Sequence, residues 1–213
     1  MRVRVSPGAR KIKYMKQPKH ITTLSMARSG HNFILKNVLS WFQDGDKYVH
    51  HNLENIKPQD LMPSHLSHPG KKLLIWRDFD DWIASSITKA HKIGATRHVS
   101  DIPAYVNKIV AGWKAIRAEA KSPHYYNAHC VIHYDEFVKY RDYRKFLCAE
   151  LGGEYSEEML NVVPRNGHYS SFDADKFQGR GSQMNVLNRA KDILNTPYKD
   201  LYLKIMEEHG RGI

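Results

Sequence analysis

The 213-residue chain predicts an α/β domain: a mostly parallel central sheet flanked by helices on both faces. Three observations carry that expectation. Short apolar runs that read as buried strands alternate with segments of helical period, a strand–turn–helix unit opens the pattern at 21–42, and no internal repeat or linker divides the rest of the chain.

The opening unit, ITTLSMARSGHNFILKNVLSWF, begins with a β-branched run and breaks at Ala27-Arg28-Ser29-Gly30. It resumes with helical spacing through Phe33, Ile34, Val38, Trp41 and Phe42. The first N–H groups of such a helix lack intrahelical partners and its dipole end is positive, so the turn suits a phosphate or sulfate. Arg28, Ser29, His31 and Asn32 add donors there; the plainer reading is an ordinary connection in which Gly30 supplies a positive φ.

Asp44-Gly45-Asp46 predicts a turn and 47–51 a second strand ending at His50-His51. The polar stretch 52–69, with Pro58, Pro63 and Pro69, holds one short helix around 59–62. The apolar run 72–76 reads as a central parallel strand ending at Arg77-Asp78. A helix follows over 80–92 with Asp81 near its start and Trp82, Ile83 and Ile87 on its buried face. Asp101 is placed to cap a long helix whose core stripe is Tyr105, Val106, Ile109, Val110, Trp113 and Ile116. A strand over 130–134 precedes a helix over 143–151 stopped by Gly152-Gly153. The segment 162–181 predicts an ordered loop over the site, and Thr196-Pro197 opens a last helix that closes at Gly210.

Two cysteines, Cys130 and Cys148, make no disulfide framework and point to a reducing cytoplasm; no apolar run is long enough to cross a membrane. The net charge of +11 is concentrated at one end. Residues 1–20 hold seven of the surplus positive charges and no acid, which leaves four for the rest. That remainder suits an enzyme for anionic substrates and does not demand nucleic acid. Residues 1–19 read as a mobile basic arm ahead of a single domain over 20–213. MRVRVSPGAR could be encoded by a stretch resembling the T-arm of a tRNA gene, which makes Met15 an alternative start.

Two motifs resemble those of sulfotransferases that use 3′-phosphoadenosine 5′-phosphosulfate (PAPS). Ala27-Arg28-Ser29-Gly30-His31-Asn32-Phe33 is similar to the family's 5′-phosphosulfate loop. Arg77-Asp78-Phe79-Asp80-Asp81-Trp82-Ile83-Ala84-Ser85-Ser86 is similar to its 3′-phosphate motif, in which a strand-ending arginine is followed eight residues on by a serine. The resemblance implies a P-loop-like sulfotransferase architecture and sulfuryl transfer from PAPS to a hydroxyl or amine of a small-molecule or glycan acceptor. It implies no metal, no specific nucleic acid and no membrane partner; oligomeric state stays open. Arg28, Ser29, Gly30, His31, Asn32 and Phe33 would hold the phosphosulfate end and adenine, and Arg77 with Ser85 the 3′-phosphate. Tyr134 resembles an adenine-contacting tyrosine, and Arg180-Gly181 a late segment closing over the 3′-phosphate. The family's base is often a histidine at the end of the strand between the two motifs, which implies His51, with His50, His65 or a carboxylate such as Glu54 as alternatives.

Plainer roles stand beside these. Arg77 could pair with Asp81, Ser85 could be a simple helix serine, Tyr134 a packed ring, and His50 or His51 core lining. The His65–His68 run could suggest metal, yet no Cys or carboxylate spacing completes a site, so solvated loop histidines are expected. The competing functions are a nucleotide or small-molecule kinase, which needs Mg²⁺ and a cradle lysine, and a nucleic-acid-binding protein using the basic arm.

Overall fold

Five of the six residues in the first strand, β1 (His20–Ser25), are buried, which is the burial expected of a central strand covered on both faces. The computed structural model describes residues 20–43, 49–68, 70–94, 102–161 and 189–210. After β1 come α1 (His31–Leu39), β2 (Val49–Glu54), a 3₁₀ turn at Pro58–Asp60, α2 (Pro63–Leu66), β3 (Lys71–Trp76), α3 (Phe79–Gly94) and α4 (Ile102–Lys121). Then come β4 (Cys130–His133), α5 (Tyr134–Lys139), α6 (Arg141–Leu151), a 3₁₀ turn at Glu158–Asn161, α7 (Arg189–Ile193) and α8 (Lys199–His209). The four strands form one all-parallel sheet in the order β2-β1-β3-β4, an α/β architecture of the P-loop-like kind.

Alternation along the strands builds two cores. Ile21, Leu73, Ile75 and Ile132 face α1, α5 and α6 through Ile34, Val38, Trp41, Phe137 and Leu147. Leu24, Leu53 and Leu74 face α3, α4 and α8 through Trp82, Val110, Trp113 and Ile205. Of the expected α4 stripe, Val106, Val110, Trp113 and Ile116 are core and Ile109 is partly buried, whereas Tyr105, in the first turn, is 38% exposed; no described helix is long and apolar enough to cross a membrane.

Several boundaries differ from the sequence reading. The second strand does not end at His51: it pairs with β1 from Val49 to Glu54, with Ser25 opposite Glu54. As an edge strand it takes its extent from backbone bonding to β1, and its polar residues hide its second half. The helix expected around 59–62 is replaced by the 3₁₀ turn and α2, each begun by a proline. Tyr134 opens α5 and does not end β4. The last helix starts at Lys199, because the Thr196 hydroxyl donates to Ile193 O at 2.7 Å, closing α7, and accepts the Tyr198 N–H at 3.2 Å. The arm 1–19 with its alternative start, the 44–46 turn, Asp101 and the 162–181 loop, including Arg180 and Gly181, lie outside the described residues.

Candidate functional site

Parallel strands gather their carboxyl ends at one edge, where ligands of open α/β sheets bind. At that edge the β1–α1 turn, Met26 to Gly30, is fixed from three sides. Ser29 N–H donates to Met26 O at 3.2 Å. Ala27 N–H donates to Asn55 Oδ1 at 3.0 Å, from the residue just beyond β2, and the Trp82 indole of α3 donates to Ala27 O at 2.8 Å. Arg28 and Gly30 both take left-handed backbone conformations, φ 74° and 78°. For Gly30 this is inexpensive, and the lack of a side chain has a further use. A Cβ there would lie 1.9 Å from Cε2 of Tyr134, so the tyrosine ring seats directly on the turn.

Gly30 is the N-cap of α1 and, among the described residues, no side chain caps that helix end. Asn32 is exposed in the first turn. The Ser29 hydroxyl is buried with no hydrogen-bond partner among the described residues, an arrangement that natural folds seldom leave unfilled. Arg28, half-buried, donates from Nε to Ser85 Oγ at 3.1 Å and so ties the turn to α3. Its pKa is lowered to about 10, first by burial and then by the charges of Arg189 and Arg77, with Glu54 opposing.

Arg77 follows β3 and is 3% exposed. Its guanidinium lies 4.8 Å from the Tyr134 ring centroid and forms ion pairs with Asp81 at 3.6 Å and Asp135 at 3.7 Å. The Asp81 pairing expected as the plainer role is therefore present, joined by a second carboxylate. Burial raises the pKa of both acids, Asp81 to about 6. Asp81 also accepts the Ala190 N–H at 2.8 Å, which fastens the start of α7 to α3 and brings Arg189 to the site.

The remaining residues singled out from the sequence are spread over both ends of the strands. Tyr134 is fully buried, its pKa raised by burial to about 12, and acts as a packed pillar between Gly30 and Arg77. Phe33 is partly buried and meets Tyr134 edge-on at 6.2 Å. His31 is turned beneath α1. Its Nδ1 lies 3.4 Å from both Thr23 Oγ1 and Ser25 Oγ, and its Nε2 lies 3.1 Å from His50 Nε2. Burial, and then His50, lower the His31 pKa to about 3, so it is neutral and not a cation for an anionic ligand.

His50 and His51 point to opposite faces, as alternation requires, with His50 the one on the α1 side. Both lie near the start of β2, and His51 stands against His20 and His68 at the amino edge of the sheet. The last strand residue before the loop is Glu54. Sequence reading misses Arg189, which no motif marks, and Asn55, whose left-handed φ of 66° is a loop property invisible in composition. Asp78, His133 and Asp135 also converge, but they bond one another: His133 Nε2 lies 3.1 Å from Asp78 Oδ1, and Asp78 N–H donates to Asp135 Oδ2 at 3.2 Å. Compared with family models and with curated proteins, the chain gives no match.

Proposed function

We propose that the chain is a cytoplasmic sulfotransferase that moves a sulfuryl group from PAPS to a hydroxyl or amine of a small-molecule or glycan acceptor. One observation carries the reading. The buried Ser29 hydroxyl has no hydrogen-bond partner among the described residues and sits in the β1–α1 turn at the α1 N-terminus, beside Arg28, whose cation burial disfavours. An anion beside the turn would relieve that penalty, and a nucleotide phosphorylated at both ends spans a site of this kind.

The donor set fits such a ligand: the Ser29 hydroxyl, without a hydrogen-bond partner among the described residues, the α1 terminus that no described side chain caps, and Asn32 stand together, with Arg28, Arg77 and Arg189 beside them. Bound there, PAPS supplies an activated sulfuryl group and leaves as 3′-phosphoadenosine 5′-phosphate. Arg28 neutralises charge that builds on the leaving oxygen, and the α1 N–H groups with Ser29 hold the 5′ end. Ser85 accepts from Arg28 and keeps its own hydrogen to donate to the 3′-phosphate, which Arg77 and Arg189 would also meet. Glu54, at the carboxyl end of β2 and opposite Ser25, takes the acceptor's proton. It replaces His51, the base implied by resemblance, because His51 sits at the other end of the strand.

The test is thermal stability of the full chain with 3′-phosphoadenosine 5′-phosphate or with ATP plus Mg²⁺. The former should raise Tm by several degrees at concentrations far above Kd. No rise would refute the reading. A rise with ATP plus Mg²⁺ alone would favour a kinase, and RNA binding lost with residues 1–19 a nucleic-acid-binding protein.

A further inference from the structure

A second cluster, independent of the arginine site, lies at the amino edge of the sheet. His20 is the first residue of β1, His51 lies on β2, and His68 is in the connection that leads into β3. In the β1–β2 register Thr22 is opposite His51, so His20 and His51 share one face of the sheet. Gly70 explains how the third arrives. With φ 122° it passes so close to β1 that a Cβ would lie 2.3 Å from His20 O, and this holds the connection against the strand. The ring centroids are 6.1 Å apart for His20–His51, 3.9 Å for His51–His68 and 5.6 Å for His20–His68.

We infer that His20, His51 and His68 form a site for a divalent transition-metal ion, of which Zn²⁺ is the representative. One ligand nitrogen from each ring lies within 4.8 Å of the others. In a tetrahedral zinc centre with bonds of about 2.0–2.1 Å, ligand nitrogens stand roughly 3.3 Å apart, so the rings need to close by about 1–2 Å. His20 Nδ1 and His51 Nε2 are buried and have no hydrogen-bond partner among the described residues. Strand histidines seldom leave such buried nitrogens unpaired, and a metal ion held with His68 from the connection would satisfy them. Imidazole without thiolate or carboxylate suits Zn²⁺, Ni²⁺ or Cu²⁺ over Mg²⁺ or Ca²⁺, and water completes the fourth position.

β1 runs five residues beyond His20 before the arginine site, roughly 16 Å of strand, which separates the ion from any transfer chemistry. Its effect is to rivet the starts of β1 and β2 to the chain entering β3.

The test uses the full chain without a histidine tag and Zn²⁺ as the probe. One Zn²⁺ per chain should remain after dialysis, and Tm should rise by about 5–10 °C at a hundredfold excess over Kd. Co²⁺ should give the visible absorption of a four-coordinate centre. His68→Ala, outside any strand, should melt like the wild type without metal and lose the Zn²⁺ shift, as should His51→Ala where it folds, while His65→Ala keeps it. No bound Zn²⁺ and no shift, or a shift that survives His68→Ala, would overturn the site.

Discussion

Substituting Gly30 by alanine tests the contact on which the β1–α1 turn is built. The new Cβ would lie 1.9 and 2.0 Å from two carbons of the Tyr134 ring, where carbon atoms rest at about 3.5–4.0 Å. The ring is 2% exposed and stands against Arg77, so it has little room to retreat. Two terms add. Holding a side chain at φ 78° costs about 1–2 kcal/mol, and overpacking a filled core costs about 1–3 kcal/mol. The expected loss is therefore about 2–5 kcal/mol, a fall in Tm of roughly 5–20 °C for a chain of this size. Urea unfolding followed by tryptophan fluorescence measures it, and Tyr134→Ala separates the terms. With the ring gone, Gly30→Ala should cost only the backbone term, giving a coupling of about 1–3 kcal/mol. A loss below about 1 kcal/mol, or the same loss in both backgrounds, refutes the close seating of Tyr134 on the turn.

Calorimetric titration with 3′-phosphoadenosine 5′-phosphate should show Arg28→Ala and Arg77→Ala each weakening binding by about tenfold or more. Only Arg77→Ala should also cost about 3–5 kcal/mol of stability, because it strands two buried carboxylates, Asp81 and Asp135. Glu54→Gln should bind the nucleotide normally and lose turnover in a labelled-PAPS assay, whereas His51→Ala should retain turnover; the opposite pattern would restore His51 as the base. Finally, His31 is held neutral by burial, with a pKa of about 3 against about 6.5 unfolded, so the unfolded chain binds more protons between those values. The stability it contributes is present above about pH 6.5 and falls progressively as pH drops towards 3. Denaturant midpoints measured from pH 4.5 to 7.5 should therefore slope less in His31→Asn than in the wild type.

The parts of the fold legible in the sequence are those whose side chains carry the period: β1, β3, β4, and the stripes of α1 and α4. The edge strand is cut short in the sequence because Asn52 and Glu54 look like loop residues, and only pairing with β1 makes them strand. That shortening moves the candidate base, since His51 stands last only in the shorter strand. At the site, Arg28, Ser29, Gly30, Arg77 and Ser85 are visible because short spacings connect them. Arg189 is not, for it arrives through a bond between Ala190 and Asp81 that no local pattern encodes. The three-histidine cluster is hidden for the same reason, since a close backbone approach at Gly70 brings its third member in.

Arg28 holds a left-handed backbone at φ 74°, a conformation glycine or asparagine adopts more readily. A library selected for heat resistance alone would therefore enrich Arg28→Gly, which relieves the strained turn by about 1 kcal/mol and also removes an awkwardly placed cation. If the proposed function holds, the same library selected for nucleotide affinity would discard it. The residue recovered at position 28 thus reports which pressure acted, and drift towards glycine there would mark a lineage that has kept the fold after abandoning the ligand.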